Sequence, residues 1–135
     1  MTPDALQQIL AENFAPWVQA LDLEVLLCEG SRTVIRMPNG PSLARVGGIV
    51  SGQALMALAD TAMVLGAIAH AGKMVPLATT DLHTQFLRAA SGPAILCTAE
   101  VVKPGRALTF SRAEMTEEDS GKLVATATAS FFLAG

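Results

Sequence analysis

The spacing of apolar positions changes period along the chain. From Pro3 to Ala20 it is helical, with Leu6, Ile9, Leu10 and Phe14 on one face. Thr2 is a candidate N-cap, Pro3 suits the first helical position, and Pro16 predicts a kink or an early stop. Leu23–Cys28 and Thr33–Met37 read as short strands around a Glu29-Gly30-Ser31 turn. Pro38–Gly48 reads as a loop. Ser51–Ala71 is the longest helix candidate, with Ser51 as N-cap and Gly72 as stop. It is apolar nearly all round, which predicts burial on nearly all sides.

Beyond Lys73 the period is two. Leu77–Leu87 alternates, with Leu82, Thr84 and Phe86 on one face and Asp81, His83 and Gln85 on the other. Ala94–Val102, Ala107–Thr116 and Lys122–Leu133 follow. Lys103-Pro104-Gly105 and the run from Glu117 to Gly121 supply turn chemistry between them, with Glu117-Glu118-Asp119 expected as a solvated hairpin tip. Short turns between strands mean antiparallel pairing. The prediction is an α+β domain over residues 1–135, an antiparallel sheet curved around one long helix. One sheet cannot cover every side of that helix, so a partner subunit is expected.

Composition narrows the function. The chain has 135 residues, of which 51% are hydrophobic, and a net charge of -3. These values fit one folded domain and disfavour nucleic acid as partner. Asp60 interrupts the apolar run from Ala54 to Ala71, which argues against a membrane span. The first ten residues lack the pattern of a signal peptide, so a cytoplasmic protein is expected. Cys28 and Cys97 lie in apolar strand-like runs and read as reduced, buried thiols. No spacing of Cys or His suggests a metal site. His70 reads as a helix-end residue and His83 as a surface or interface residue.

Asp60 is the only charged residue between Ile49 and Ala69. Burying a carboxylate is costly, so it either faces a polar cavity or is paired with a distant group; position alone does not decide. The segment before it, Arg45-Val-Gly-Gly-Ile-Val-Ser51-Gly52-Gln53, runs a glycine-bearing turn into a helix start. Free N–H groups there suit a thioester carbonyl or oxyanion, although close packing alone would also explain a glycine. Gly52 and Asp60 are eight residues apart, about 12 Å along a helix axis. One carbonyl carbon cannot touch both on one helix. A site using both draws them from two subunits related by a two-fold axis.

The order of elements and the Arg45–Asp60 segment resemble the hot-dog-fold thioesterases, specifically their phenylacetate-degradation (PaaI-like) branch. That branch carries N-x-x-G-x-x-H-G-G-x-x-x-x-L-A-D, where this chain reads R-V-G-G-I-V-S-G-Q-A-L-M-A-L-A-D. Thr79–Arg88, Val102–Arg106 and Gly121–Ala125 extend the resemblance. It implies a hot-dog fold and an acyl-CoA thioesterase for a small or medium acyl group, with Asp60 activating water at a subunit interface. It also implies Gly52 as the amide that polarises the carbonyl and Thr79 as a hydroxyl near the water. Arg88, Lys103 and Arg106 fall where relatives contact coenzyme A. A dimer, commonly doubled to a tetramer, and no metal or cofactor beyond the substrate's coenzyme A complete the implication. Arg45, Ser51 and Gln53 stand where the family has Asn, His and Gly. Arg45 is a candidate to neutralise Asp60 or bind an anionic acyl group, Ser51 is a candidate to donate a weaker hydrogen bond, and Gln53 is a candidate substrate contact beside the Gly52 amide. The same departures suit a non-catalytic acyl-CoA-binding module.

Overall fold

In a computed structural model, which describes residues 1–133, two N-terminal helices precede a sheet and its central helix. Helices α1 (Pro3–Asn13) and α2 (Pro16–Gln19) lead to β1 (Glu24–Glu29) and β2 (Arg32–Pro38). Then come α3 (Gly52–Ala71), β3 (Leu77–Phe86), β4 (Ala94–Lys103), β5 (Leu108–Glu117) and β6 (Leu123–Leu133). The continuous helix expected over Pro3–Ala20 is therefore broken. Proline restricts the residue before it to extended backbone, and Phe14 (ψ 153°) and Ala15 (ψ 151°) are both extended. The expected caps form. Thr2 accepts from the N–H of Ala5 at 3.1 Å, and Ser51 Oγ accepts from the N–H of Ala54 at 3.3 Å. Gly72 ends α3 in the left-handed region (φ 76°), its N–H donating to the carbonyls of Ile68 and Ala69.

The strands form one antiparallel sheet in the order β1-β2-β4-β5-β6-β3. Side chains alternate across it, so one face packs on α3 and the other meets solvent. Leu58, Met63, Leu65, Ile95, Met115 and Phe131 are fully buried between helix and sheet. Ala99, Ala113 and Ala127 pair across β4, β5 and β6 and are buried. This run of small side chains lets α3 approach the sheet closely. A Cβ on Gly66 would lie 3.5 Å from Thr33 Oγ1 and 3.8 Å from Ala99 Cβ. Such packing gives the hot-dog architecture. Helix α3 is long and apolar enough to cross a membrane by length and composition, but most of it is buried here.

Glu118 and Asp119 are exposed as expected of a solvated tip, but Glu117 is not. Glu117 is only 8% exposed. Its carboxylate accepts from the N–H of Ser91 at 2.9 Å and from the hydroxyls of Ser91 and Ser120 at 3.2 and 2.6 Å. Glu118 pairs with Arg36 at 2.7 Å. Glu117 thereby latches the loop after β3 to the β5–β6 turn. The preceding residue in that loop, Ala90, accepts through its carbonyl from the N–H of Val50 at 3.0 Å, just ahead of α3. These hydrogen bonds, that of Ser120 first, hold the Glu117 pKa below the ordinary 4.5. A depressed folded-state value makes the stabilisation present above the unfolded pKa and lost as pH falls through the folded one. We therefore expect thermal stability to decline as pH drops below about 4.5, and Glu117→Gln to lower stability at pH 7 and flatten that decline. Melting curves from pH 7 to pH 3 check both.

Candidate active site

The sheet leaves one stripe of α3 uncovered. Between Gln53 and Val64 the half-buried or exposed positions are Gln53, Met56, Ala57, Asp60 and Val64, spaced three or four residues apart except for the adjacent Met56 and Ala57, and every other residue in that span is buried. Asp60 thus opens to a cavity instead of being sealed in the core. The cavity holds about 330 Å³ and is lined by Phe14, Asp60, Val64, Ile68, Met74 and Thr79 among others.

Asp60 Oδ1 accepts a hydrogen bond from Thr79 Oγ1 at 2.8 Å. Among the described residues the salt bridges are Arg36–Glu118 and Arg112–Glu100, so the distant-cation reading of Asp60 is not what the structure shows. Burial pushes the carboxyl above its ordinary 3.8, and the Thr79 hydroxyl partly opposes that rise. Thr79 reaches Asp60 because of a β-bulge. On β3, Thr79 pairs with Phe131 and Asp81 with Ser130, leaving Thr80 unpaired. Thr80 Oγ1 caps the irregularity by donating to the Ser130 carbonyl at 3.0 Å. Strict alternation from Leu82, Thr84 and Phe86 would place Thr79 on the outer face. The extra residue returns it to the helix side.

A second cluster forms at the other end of the stripe. Gly52 is the first residue of α3, and its N–H has no acceptor among the described residues. The preceding loop is closed by bonds from Arg45 N to Ile49 O (2.8 Å) and from Ser51 N to Leu43 O (2.9 Å). A cavity of about 300 Å³ brings Arg45, Gly52, Phe86 and Arg88 together. Neither arginine makes a salt bridge among the described residues. Ser51 uses its oxygen as the helix cap, and Gln53 is exposed on the stripe. Lys103 and Arg106 lie exposed at the β4–β5 turn. The Pro104-Gly105 pair between them lines a smaller cavity with Ala67 and His70, at the C-terminal end of α3. Within one chain they are therefore not gathered with Arg45 and Arg88.

The Asp60 and Gly52 cavities share no lining residue. The chain thus carries Asp60 and Gly52 in two separate cavities. Sequence reasoning missed Phe86 as a site residue. Its ring would lie 3.4 Å from a Cβ on Gly52, so it packs over the helix start. The signal was its place on the inward face with Leu82 and Thr84. Cys97 is buried, with its thiol pushed up to about 12 by burial, and Cys28 is half-buried; both are free. No group of three or more His, Cys, Asp or Glu among the described residues is placed to hold a metal ion.

The fold has known counterparts. The profile of the thioesterase superfamily matches residues 47–124, more than half of the chain, and the chain belongs to that superfamily. Its class is that of the thioester hydrolases. Thioesterase superfamily member 2 of zebra fish is 26% identical over 99% of each chain, with a TM-score of 0.86. A thioesterase family protein of Silicibacter pomeroyi is 26% identical over 96% of each chain, with a TM-score of 0.84. The E. coli PaaI protein from the phenylacetic acid degradation operon is 19% identical and shares the fold, with a TM-score of 0.84 over 100% of this chain and 97% of that one. No curated protein matches by sequence.

The balance at Asp60 is directly measurable. A carboxyl-carbon NMR titration should place its midpoint above the ordinary aspartate value. Thr79→Ala should move the midpoint higher still, because the hydrogen bond it removes favours the ionised form. An unmoved midpoint would mean that Thr79 does not tune Asp60.

Proposed function

We propose that the protein hydrolyses acyl-coenzyme A thioesters at a site shared by two copies of the chain. The observation that carries this reading is the Asp60 carboxylate: half-buried, without a cation, bonded to one hydroxyl and open to a cavity. Thr79 holds Oδ1, which leaves Oδ2 to take a proton from water. A pKa above the ordinary value makes the carboxylate a better base. The water oxygen bonds to the thioester carbon, and the carbonyl becomes an oxyanion. The Gly52 N–H of the other copy holds that oxyanion. Collapse breaks the carbon–sulfur bond, and the proton passes from Asp60 to the departing thiolate. The products are a carboxylic acid and free coenzyme A. Attack by Asp60 itself, through an anhydride, is the competing route.

Three features support the shared site. Gly52 and Asp60 are about 12 Å apart along α3, too far for one carbonyl. Met56 lies midway between them and is 41% exposed, an apolar group in position to meet its twin on a two-fold axis. Strand β3 is an edge strand of ten residues with a free ladder side, which suits pairing with a second β3. With two α3 helices antiparallel about Met56, each Asp60 faces the other chain's Gly52. Arg45 and Arg88 then bind the coenzyme A phosphates. In the same arrangement the β4–β5 turn, with Lys103 and Arg106, approaches the partner's Arg45 end. Gln53 lies at the rim of the shared cleft. The reading calls for a dimer, doubled to a tetramer, in the cytoplasm, with no cofactor beyond the substrate's own coenzyme A.

The Ser51 oxygen is spent on the helix cap where the family motif has a histidine, and this favours a second reading, a protein that binds acyl-CoA without cleaving it. Two variants and a thiol-release assay separate the readings. Asp60→Asn should fold, melt no lower than the parent because a desolvated charge is gone, and lose nearly all hydrolysis. Gly52→Pro removes one N–H at a position where proline suits the helix start, and Ser51 (φ -65°, ψ 150°) already has the backbone a following proline needs. It should keep the fold and lower kcat by about 10²–10³-fold. Coenzyme A affinity without thiol release on any acyl-CoA would select the binding reading.

A further inference from the structure

Beyond Asp60, the walls of its cavity are almost wholly apolar. Phe14, Val64, Ile68, Met74, Val75 and Leu77 line it, and its only other polar side chains are Thr79 and Asn13. Among the described residues no Lys, Arg or His lines it. Asp60, Val64 and Ile68 recur every four residues on α3. One wall therefore runs from the carboxylate toward the C-terminal end of the helix for about 12 Å. The reacting carbonyl belongs at the Asp60 end, so whatever fills the rest is attached to that carbonyl.

We propose that this groove is the acyl-chain subsite and that it selects an uncharged chain of medium length, an inference that rests on the hydrolase reading above. An extended hydrocarbon advances roughly 1.3 Å per bond, so about 12 Å accommodates a chain of about eight to ten carbons. A terminal carboxylate on the chain would be desolvated among Val, Ile and Met with no cation to meet it, and the nearest charge on the groove is the acid Asp60. Dicarboxylic acyl groups are therefore rejected. The unpaired arginines stand in the other cavity, where the nucleotide end of the substrate binds.

The far limit of the groove is also defined. Val75 and Leu77 line both this cavity and a neighbouring one of about 170 Å³ that extends to His70 and Pro104. They form the partition between the two. Val75 is half-buried and belongs to the segment between α3 and β3, so trimming it opens the wall without removing a fully buried core residue. Val75 is thus a length-determining residue, and Val64 on α3 sets the width beside the carboxylate.

The test measures kcat/KM by thiol release on straight-chain acyl-CoAs from acetyl to tetradecanoyl, with glutaryl-CoA as the anionic probe. The parent should peak near octanoyl-CoA and turn over glutaryl-CoA far more slowly than hexanoyl-CoA. Val75→Ala joins the two cavities and should raise the dodecanoyl-to-octanoyl ratio about tenfold. Val64→Phe fills the groove and should lower the octanoyl-to-butyryl ratio by about tenfold or more. Melting curves confirm that both variants fold. Met74→Phe, at the exposed rim, gives the same shortening from a site outside the core. A flat chain-length profile, or a profile that none of these variants moves, overturns the acyl groove while leaving the hydrolase reading in place. No thiol release from any chain overturns both.

Discussion

The structure turns on a carboxylate placed where the sheet does not reach. Six strands wrap α3 and bury Leu58, Met63 and Leu65 on one side, yet the Gln53–Val64 stripe stays uncovered. Asp60 sits on that stripe, between an apolar helix and an open cavity. Burial raises its affinity for a proton, and one hydroxyl from a bulged strand limits the rise. A cation beside it would have made it a weak base, and a position facing bulk water would have left it an ordinary one. A helix required only to pack would carry alanine there.

The same uncovered stripe carries the two groups that the proposed site needs. It presents Met56 to solvent, carries an acid at one point and leads to an unsatisfied amide at another. Those two groups line separate cavities of differing character. One is cationic, with Arg45 and Arg88, and the other is apolar and headed by the acid. A thioester of coenzyme A has the matching polarity, phosphates at one end and a hydrocarbon at the other. Antiparallel helices from two copies would align those ends with the two cavities. Oligomerisation and catalysis are then one requirement, since burying the stripe also assembles the site.

Much of this was legible in the sequence because it rests on local rules. Ser51 and Gly72 bound α3 as their capping chemistry predicts, and the alternation from Leu82 to Phe86 sets the inward face of β3. Asp60 stood out because no apolar helix needs it. What was not legible depends on longer-range geometry. The helix read as running to Ala20 stops at Asn13, because Ala15 is held extended ahead of Pro16. Thr79 meets Asp60 only through the bulge at Thr80, which a strict period of two does not contain. Glu117 looked like part of a solvated acidic run, but a loop distant in sequence encloses it. Lys103 and Arg106 are near Arg88 in motif order and at the opposite end of α3 in space. Phe86 gave only its face, not its contact with Gly52.

The central claim is that one copy supplies the base and the other the amide. It is tested most directly by mixing two inactive variants, Asp60→Asn and Gly52→Pro, after dissociation and reassembly in equal amounts. Half of the resulting dimers are mixed, and each mixed dimer holds one intact pairing of Asp60 with Gly52. Activity should therefore return to about a quarter of the parent's. Recovery of none, with mixed dimers shown to have formed, would contradict a site shared between two chains.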